Sequence, residues 1–266
     1  LSSKSLSILA NEENLTPEKL KNFIDNWANT PITGIIQSDN RGKIISAFSN
    51  TESLLPGGDI SDRDYFQTAK NSPTQKMIVG KPVISRATGT DQSYKIPLAT
   101  PIYKNGQFRG VISLSVSASS LTQNYLESLK ISDQSDIILI DQDGYFLSSV
   151  HSEIIGQNIF DYFKEHPFLG DKIVMPIIRE KIKIDNEQKL DVAIPNLFTG
   201  KLTRTLMVSS PIKLDHNQWI LVITTPVSDA LIFISPFILR NLLGIIVSFF
   251  ISIGITLFLF NRYIKN

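Results

Sequence analysis

The spacing of apolar positions changes character three times along this chain. Leu6, Ile8 and Leu9, and then Leu20, Phe23, Ile24 and Trp27, recur at helical spacing. Between them Thr16-Pro17-Glu18 supplies an N-cap, a proline for the first turn and an acidic residue at the positive end of a helix. Short apolar runs follow. Ile35-Ile36 and Ile44-Ile45 flank the polar turn Ser38-Asp39-Asn40-Arg41-Gly42, which predicts a hairpin. Val79 to Ser85, Tyr94 to Tyr103 and Phe108 to Val116 predict further strands, the last two joined by the strong hairpin turn Asn105-Gly106. The third regime is Leu242 to Phe260, which carries no charged side chain and is long enough to cross ~30 Å of hydrocarbon as a helix.

The strand region repeats itself. A shift of 102 positions lays Gly34-Ile35-Ile36 on Asp136-Ile137-Ile138, Asp39 on Asp141, Gly42 on Gly144 and Ile44-Ile45-Ser46 on Phe146-Leu147-Ser148. Further on, Pro101-Ile102 and Phe108 to Leu114 recur as Pro211-Ile212 and Trp219 to Ile223. Matching hairpins and matching closing strands in one order predict a duplicated module. The second copy reads as a helix from Glu153 to Phe163, a charged connection from Lys181 to Lys189, and strands over Leu190 to Ile194, Thr203 to Ser209 and Trp219 to Thr225, with Ala118 to Leu129 as a linker helix between copies. The expected fold class is α+β: two tandem PAS-like modules, each an antiparallel sheet with helices, after an N-terminal helix and followed by a transmembrane helix. The expected boundaries are 1–32 for the N-terminal helical segment, 33–121 and 122–228 for the modules, 229–241 for a juxtamembrane segment, 242–260 for the membrane helix and 261–266 for a cytoplasmic start.

Charge and composition remove several functions. The net charge is +1 and the 26 basic residues are scattered, so nothing favours nucleic acid as a partner. No cysteine is present, which rules out disulfides and thiolate metal sites. Asp141-Gln142-Asp143-Gly144 begins like a calcium loop, but Ser152 stands where the closing glutamate belongs, and the duplicated hairpin explains the run without metal. His151, His166 and His216 are far apart in sequence, Ser209-Ser210 has no nucleophile-elbow context, and no phosphate-cradling glycine loop occurs. The expectation is a non-enzymatic chain without cofactor or metal.

Asp62-Arg63-Asp64-Tyr65-Phe66, Gly80-Lys81-Pro82-Val83-Ile84-Ser85, Pro97-Leu98-Ala99-Thr100-Pro101-Ile102-Tyr103 and Gly106-Gln107-Phe108-Arg109-Gly110-Val111-Ile112 occur in this order. The series resembles the double Cache sensor domains of bacterial chemotaxis receptors, sensor histidine kinases and diguanylate cyclases. The resemblance is best from about Ile32 to Leu121 and fainter to about Thr225. It implies a membrane-distal pocket in the first module, in which Arg63 and Tyr65 hold a small molecule; an arginine there can grip a carboxylate through two parallel hydrogen bonds. Lys81, Tyr94, Ser113 and Ser115 are supporting candidates from strand position. Family members that sense amino acids carry acidic residues where this chain has Ser85 and Ser115, and a tyrosine where it has Val83. An ammonium group would be poorly paired in such a site, so the expected ligand is a small carboxylate or other anion, with Ser85 also among the binding residues.

Arg240 precedes the expected span and Arg262 and Lys265 follow it, which places residues 1 to about 238 outside the cytoplasm and the C-terminus inside. Gly244, Ser248, Ser252 and Thr256 fall every fourth residue, a small-residue stripe suited to homodimer packing in the membrane. The chain starts without methionine or signal peptide and is expected to be a fragment, with a cytoplasmic signalling module in cis beyond it. The competing expectation is a membrane-anchored binding or adhesion protein with no signalling output.

Overall fold

The computed structural model describes residues 3–12, 15–50, 54, 56–71, 76–87, 93–165, 188–195, 202–214, 217–232, 236–237 and 239–249. Helices α1 (Ser3–Ala10) and α2 (Pro17–Asp25) come first. Thr16 caps α2 by accepting from the Lys19 N–H at 3.4 Å, with Pro17 in the first turn. The first sheet is built from β1 (Ile32–Ser38), β2 (Ile44–Ser49), β3 (Ile78–Val79), β4 (Val83–Ile84), β5 (Tyr94–Lys104) and β6 (Gln107–Ser117), with α3 (Asp64–Asn71) between β2 and β3. Its order is β2-β1-β6-β5-β3, and β4 also pairs with β5. Helical turns follow from Ala118 to Leu129, opening with α4 (Ala118–Leu121). The second sheet contains β7 (Asp136–Asp141), β8 (Phe146–Ser149), β9 (Gln188–Pro195), β10 (Leu202–Leu214) and β11 (Asn217–Pro226), in the order β8-β7-β11-β10-β9, with α5 (Ile159–Glu165) after β8.

The two sheets share more than strand order. In the first hairpin Ser38 pairs with Ile44 next to a bulge, and 102 residues on Ile140 pairs with Phe146 next to the equivalent bulge. Asp39 Oδ1 accepts from the N–H groups of Arg41 and Lys43, both at 2.9 Å; Asp141 Oδ1 accepts from Asp143 and Tyr145 at 2.9 and 2.8 Å. The strand exits match as well. Ile60 N–H donates to Gly42 C=O and Ile159 N–H to Gly144 C=O, each at 2.8 Å. Asp59 and Asn158 side chains then accept from Ser61 and Phe160 N–H at 2.8 and 2.9 Å. Asp141 of the calcium-like run therefore serves a turn: its side-chain oxygen satisfies backbone donors that the tight hairpin leaves unpaired.

Two predicted elements are divided. Val79 to Ser85 reads as one strand, but Gly80-Lys81-Pro82 separates β3 from β4: Gly80 N–H still donates to Pro97 C=O of β5 at 2.9 Å, while Pro82 has no N–H for the ladder. Glu153 to Phe163 reads as one helix, yet a single helical turn at Ser152–Ile154 is cut off from α5 by an extended Ile155 and by Gly156 at φ +83°.

Each sheet has two covered faces. On one face of the first, Ile35, Ile96, Leu98, Ile112 and Leu114 meet Leu6, Leu9, Leu20 and Ile24 of the first two helices, and this core continues into Ile137, Leu139 and Leu147 of the second sheet. On the other face Ile36, Ile44, Ala99 and Val111 pack with Ile60, Tyr65, Phe66 and Ala69. The second sheet closes its far face over α5 with Ile138, Phe146, Ile159 and Phe163. Residues 239–249 are helical with Leu242, Leu243, Ile245, Ile246, Val247 and Phe249 all exposed. Among the described residues no helix is long and apolar enough to cross a membrane. The expected span lies outside the described residues from 250 onward, as do Ser252 and Thr256 of the small-residue stripe; Gly244 and Ser248 lie within them.

Burial pushes the Asp141 carboxyl above the usual range and the charge of Asp143 adds to this, against N–H donors from Tyr145 and Asp143 and the Lys81 ammonium. A carboxyl whose folded value lies above its unfolded one stabilises the fold below the ordinary aspartate range, and that contribution is lost as pH rises through the raised value. Asp141→Asn keeps an acceptor for the turn but removes the titration. Its melting temperature is expected to fall less steeply than wild type as pH rises above the ordinary aspartate range; parallel curves would contradict this.

Candidate functional site

The path from β2 to α3 builds a wall. Pro56-Gly57-Gly58 turns back on β2, where Gly57 N–H donates to Ile44 C=O and Ile44 N–H to Gly58 C=O, both at 2.8 Å. Arg63 sits just before α3, its N–H on Ile60 C=O at 3.0 Å, so its side chain leaves the helix start toward β4. There Nη2 donates to the Ile84 carbonyl at 3.0 Å. Arg86, two residues after β4, reaches back with both guanidinium ends to the Asp62 carboxylate, Nη2 to Oδ2 at 2.8 Å and Nη1 to Oδ1, and Nη1 also donates to Asp59 C=O. The Arg86 bond holds Asp62 below the usual carboxylate range.

These segments line a narrow, partly open hollow against the first sheet, with about 20 Å³ of room for a water-sized sphere. Its floor is Ile36 of β1, Lys95 and Pro97 of β5, and Ser113 and Ser115 of β6. Adjacent floor strands are in register, since Ile36 pairs with Ser113 and Pro97 with Ser115. Its sides are Ile44, Ile60, Arg63 and Tyr65 on one flank and Val83, Ile84, Ser85 and Arg86 on the other. Among the described residues three cations, Arg63, Arg86 and Lys95, line it and no carboxylate does. Tyr65 is 3% exposed, and burial raises its hydroxyl far above the usual phenol range, so it remains a neutral hydrogen-bonding group. The chemistry on offer is charge-assisted donation to an anion inside an otherwise apolar and hydroxyl-lined space.

Of the residues singled out from sequence, Arg63, Tyr65, Ser85, Ser113 and Ser115 come together around this hollow, while Lys81 and Tyr94 do not line it. Lys81 follows the break between β3 and β4 and turns toward the second module. Its Nζ lies 4.1 Å from the centre of the Tyr145 ring, and its N–H donates to Asp64 Oδ2 at 3.0 Å. Burial pulls its ammonium down, but the Tyr145 hydroxyl and the charges of Asp143 and Asp64 outweigh it and raise the value. Tyr94 lies against Gly156 of the second module. Both are contacts between modules. A Cβ on Gly156 would stand 2.9 Å from Tyr94 Cζ at a positive φ, so Gly156→Ala is expected to cost about 2 kcal/mol, read as a lowered urea midpoint; a change under about 0.5 kcal/mol would contradict the contact.

Sequence reasoning missed Arg86 and Lys95. The signal for Lys95 was parity: it shares its strand face with Pro97, opposite Ser115, and a lysine on a face otherwise covered is unusual. Arg86 had no such signal, because its partner Asp62 is 24 positions away in sequence. Elsewhere, His151 Nε2 lies 3.0 Å from Asp136 Oδ1, and among the described residues no group of three or more His, Cys, Asp or Glu side chains is placed to hold a metal.

A family model described as Cache domain (dCache_1) matches residues 2–232. The chain belongs to the Cache domain family. Among the solved structures that match it over most of its length are three receptor domains. The periplasmic sensory domain of the Campylobacter jejuni chemoreceptor Tlp1 is 15% identical at a TM-score of 0.61, with 84% of each chain covered. The ligand-binding domain of the Pseudomonas fluorescens chemoreceptor CtaA, in complex with L-serine, is 18% identical at a TM-score of 0.55, covering 85% of this chain and 87% of that one. An extracellular ligand binding receptor from Desulfohalobium retbaense is 16% identical at a TM-score of 0.57; 83% of this Cache chain aligns, spanning only 36% of that receptor chain. A search of curated proteins gave no match.

Proposed function

We propose that this chain is the extracytoplasmic sensor portion of a bacterial membrane receptor, and that the hollow of its first module holds a small anion such as a carboxylate. The observation that carries the reading is the lining: Arg63, Arg86 and Lys95, with no carboxylate among the described residues. Among the described residues a ligand's free ammonium would meet the hydroxyls of Tyr65, Ser85, Ser113 and Ser115 and cations there, and a desolvated charge without an opposite charge is costly. The CtaA domain was solved in complex with L-serine; among the described residues of this hollow no acidic group stands to receive an amine. Occupancy would bias two arrangements of the modules, which requires unequal affinity of the ligand for them. The contacts of Lys81 with Tyr145 and of Tyr94 with Gly156 supply a physical path from β4 to the second module. From there a helix over 242–260 would cross the membrane, pair with a second copy along Gly244, Ser248, Ser252 and Thr256, and pass the change to a cytoplasmic module.

The test is thermal unfolding of the full chain in detergent against panels of organic acids and amino acids. Stabilisation by at least one acid, lost in Arg63→Ala, supports the reading. Stabilisation by amino acids alone, undiminished in Arg63→Ala, overturns it.

A further inference from the structure

The hollow's room for a water-sized sphere, about 20 Å³, suits about one water molecule. A carboxylate carrying even a short hydrocarbon tail needs several times that space, so part of the wall has to move before one enters. Residues 83–86 are lightly tied to the sheet. Among the described residues β4 makes two pairs, Val83 with Lys95 and Ile84 with Tyr94 of β5, and it starts from the Gly80-Lys81-Pro82 break, where Pro82 offers the ladder no N–H. From Ile84 the chain leaves β5 and reaches the opposite flank. There the Arg86 backbone lies against the Pro56-Gly57-Gly58 turn: a Cβ built on Gly58 would collide with the Arg86 carbonyl oxygen and stand 3.0 Å from its carbon. Gly58 C=O itself accepts from Ile44 N–H of β2 at 2.8 Å.

Two arginines hold this crossing segment down, and they run in opposite directions. Arg63 reaches from the start of α3 to the Ile84 carbonyl at 3.0 Å. Arg86 reaches back from beyond β4 to Asp62 with both ends of its guanidinium, Nη2 to Oδ2 at 2.8 Å, and to the Asp59 carbonyl. Ala87 follows, 2% exposed, in the core that contains Ile44 and Ile60. The walls are thus laced together over a floor that holds Ser113 and Ser115. Asp62 is exposed, and an ion pair at solvent breaks at small cost. We propose that residues 83–86 are a lid, closed in this structure, and that release of Arg86 from Asp62 is the step that uncovers the floor and admits the ligand. The inference rests on the reading of the hollow as the ligand site.

The chain has no cysteine, so Ser113→Cys, at a floor position 1% exposed, places a single thiol under the lid. Its rate of reaction with dithiodipyridine, an uncharged reagent, in the full chain in detergent at neutral pH reads how often the floor is uncovered. The rate is expected to be far below that of Gln107→Cys, a position exposed at the start of β6. Adding Asp62→Asn, which leaves the three lining cations in place, is expected to raise it about five-fold or more. Gly58→Ala presses on Arg86 without changing any charge and is expected to raise it likewise. Ser148→Cys, fully buried in the second module, reports general loosening and is expected to keep its rate in both backgrounds. A floor thiol that reacts as fast as the one at position 107, a rate unmoved by Asp62→Asn, or equal acceleration at positions 113 and 148 would each overturn the lid. No ligand enters the measurement, so those results leave the anion reading to the organic-acid panel above. Asp62→Asn, at an exposed position, carries the test even where Gly58→Ala does not fold.

Discussion

Arg63→Ala is expected to weaken binding of a small carboxylate about a hundred-fold, since removing one partner of a desolvated, hydrogen-bonded charge pair costs about 3 kcal/mol or more. The side chain already has a fixed direction, because one end of its guanidinium is anchored on the Ile84 carbonyl. A pre-oriented fork loses little freedom when the ligand arrives. The same anchor means that Arg63→Ala also frees β4, so stability of the unliganded protein should fall with affinity. Arg63→Lys separates the two effects. An ammonium retains charge but cannot present two parallel donors, so affinity should recover only in part. A carboxylate that binds Arg63→Ala as tightly as wild type would remove Arg63 from the site.

Gly110→Ala is expected to be the most damaging single methyl group added to the first sheet. Gly110 has φ +134°, and a Cβ there would collide with the Ser38 carbonyl oxygen, with Ser38 C at 2.8 Å and Asp39 C at 2.9 Å. All three are backbone atoms, so no side chain can swing away. Ser38 is itself fully buried, and its Oγ accepts from the Val111 N–H at 3.2 Å. The bulge in β1 at Ser38 and the bulge between β5 and β6 beside Tyr103 meet at this point. The combined backbone strain and collision should cost about 3 kcal/mol, a loss on the order of 10 °C in melting temperature for a chain of this size. Gly106→Ala is the control: it also has a positive φ, +73°, but nothing lies within 4 Å of the added carbon, so it should cost about 1 kcal/mol. Equal losses for the two variants would contradict the close approach of Ser38 and Gly110.

The duplicated sheets were legible because their signals are local. Asp39-Asn40-Arg41-Gly42 and Asp141-Gln142-Asp143-Gly144 encode the same turn through the same aspartate-to-backbone bonds, and Asn105-Gly106 adopts the positive φ values of 52° and 73° that its hairpin needs. The breaks at Gly80-Lys81-Pro82 and at Gly156 were hidden, since periodicity reports that a segment is half-buried but not that a neighbouring strand has claimed its hydrogen bonds. The site divides along the same line. Arg63 and Tyr65 stand in a compact motif at a helix start, and the serines follow from strand parity. Lys81 and Tyr94 have equally suggestive strand positions, yet contacts across the module boundary draw both away from the hollow. The Arg86–Asp62 pair shapes the wall from residues far apart in sequence and was invisible until the chain was folded.

The most direct measurement is the electron density of the first-module hollow in crystals of protein isolated from its host and never refolded. The account requires a small molecule with an acidic group within hydrogen-bond distance of Arg63, enclosed by Tyr65 and the two floor serines. A ligand lodged instead in the second module, or an amine resting against Ser85 and Ser115 with Arg63 turned away, would contradict it.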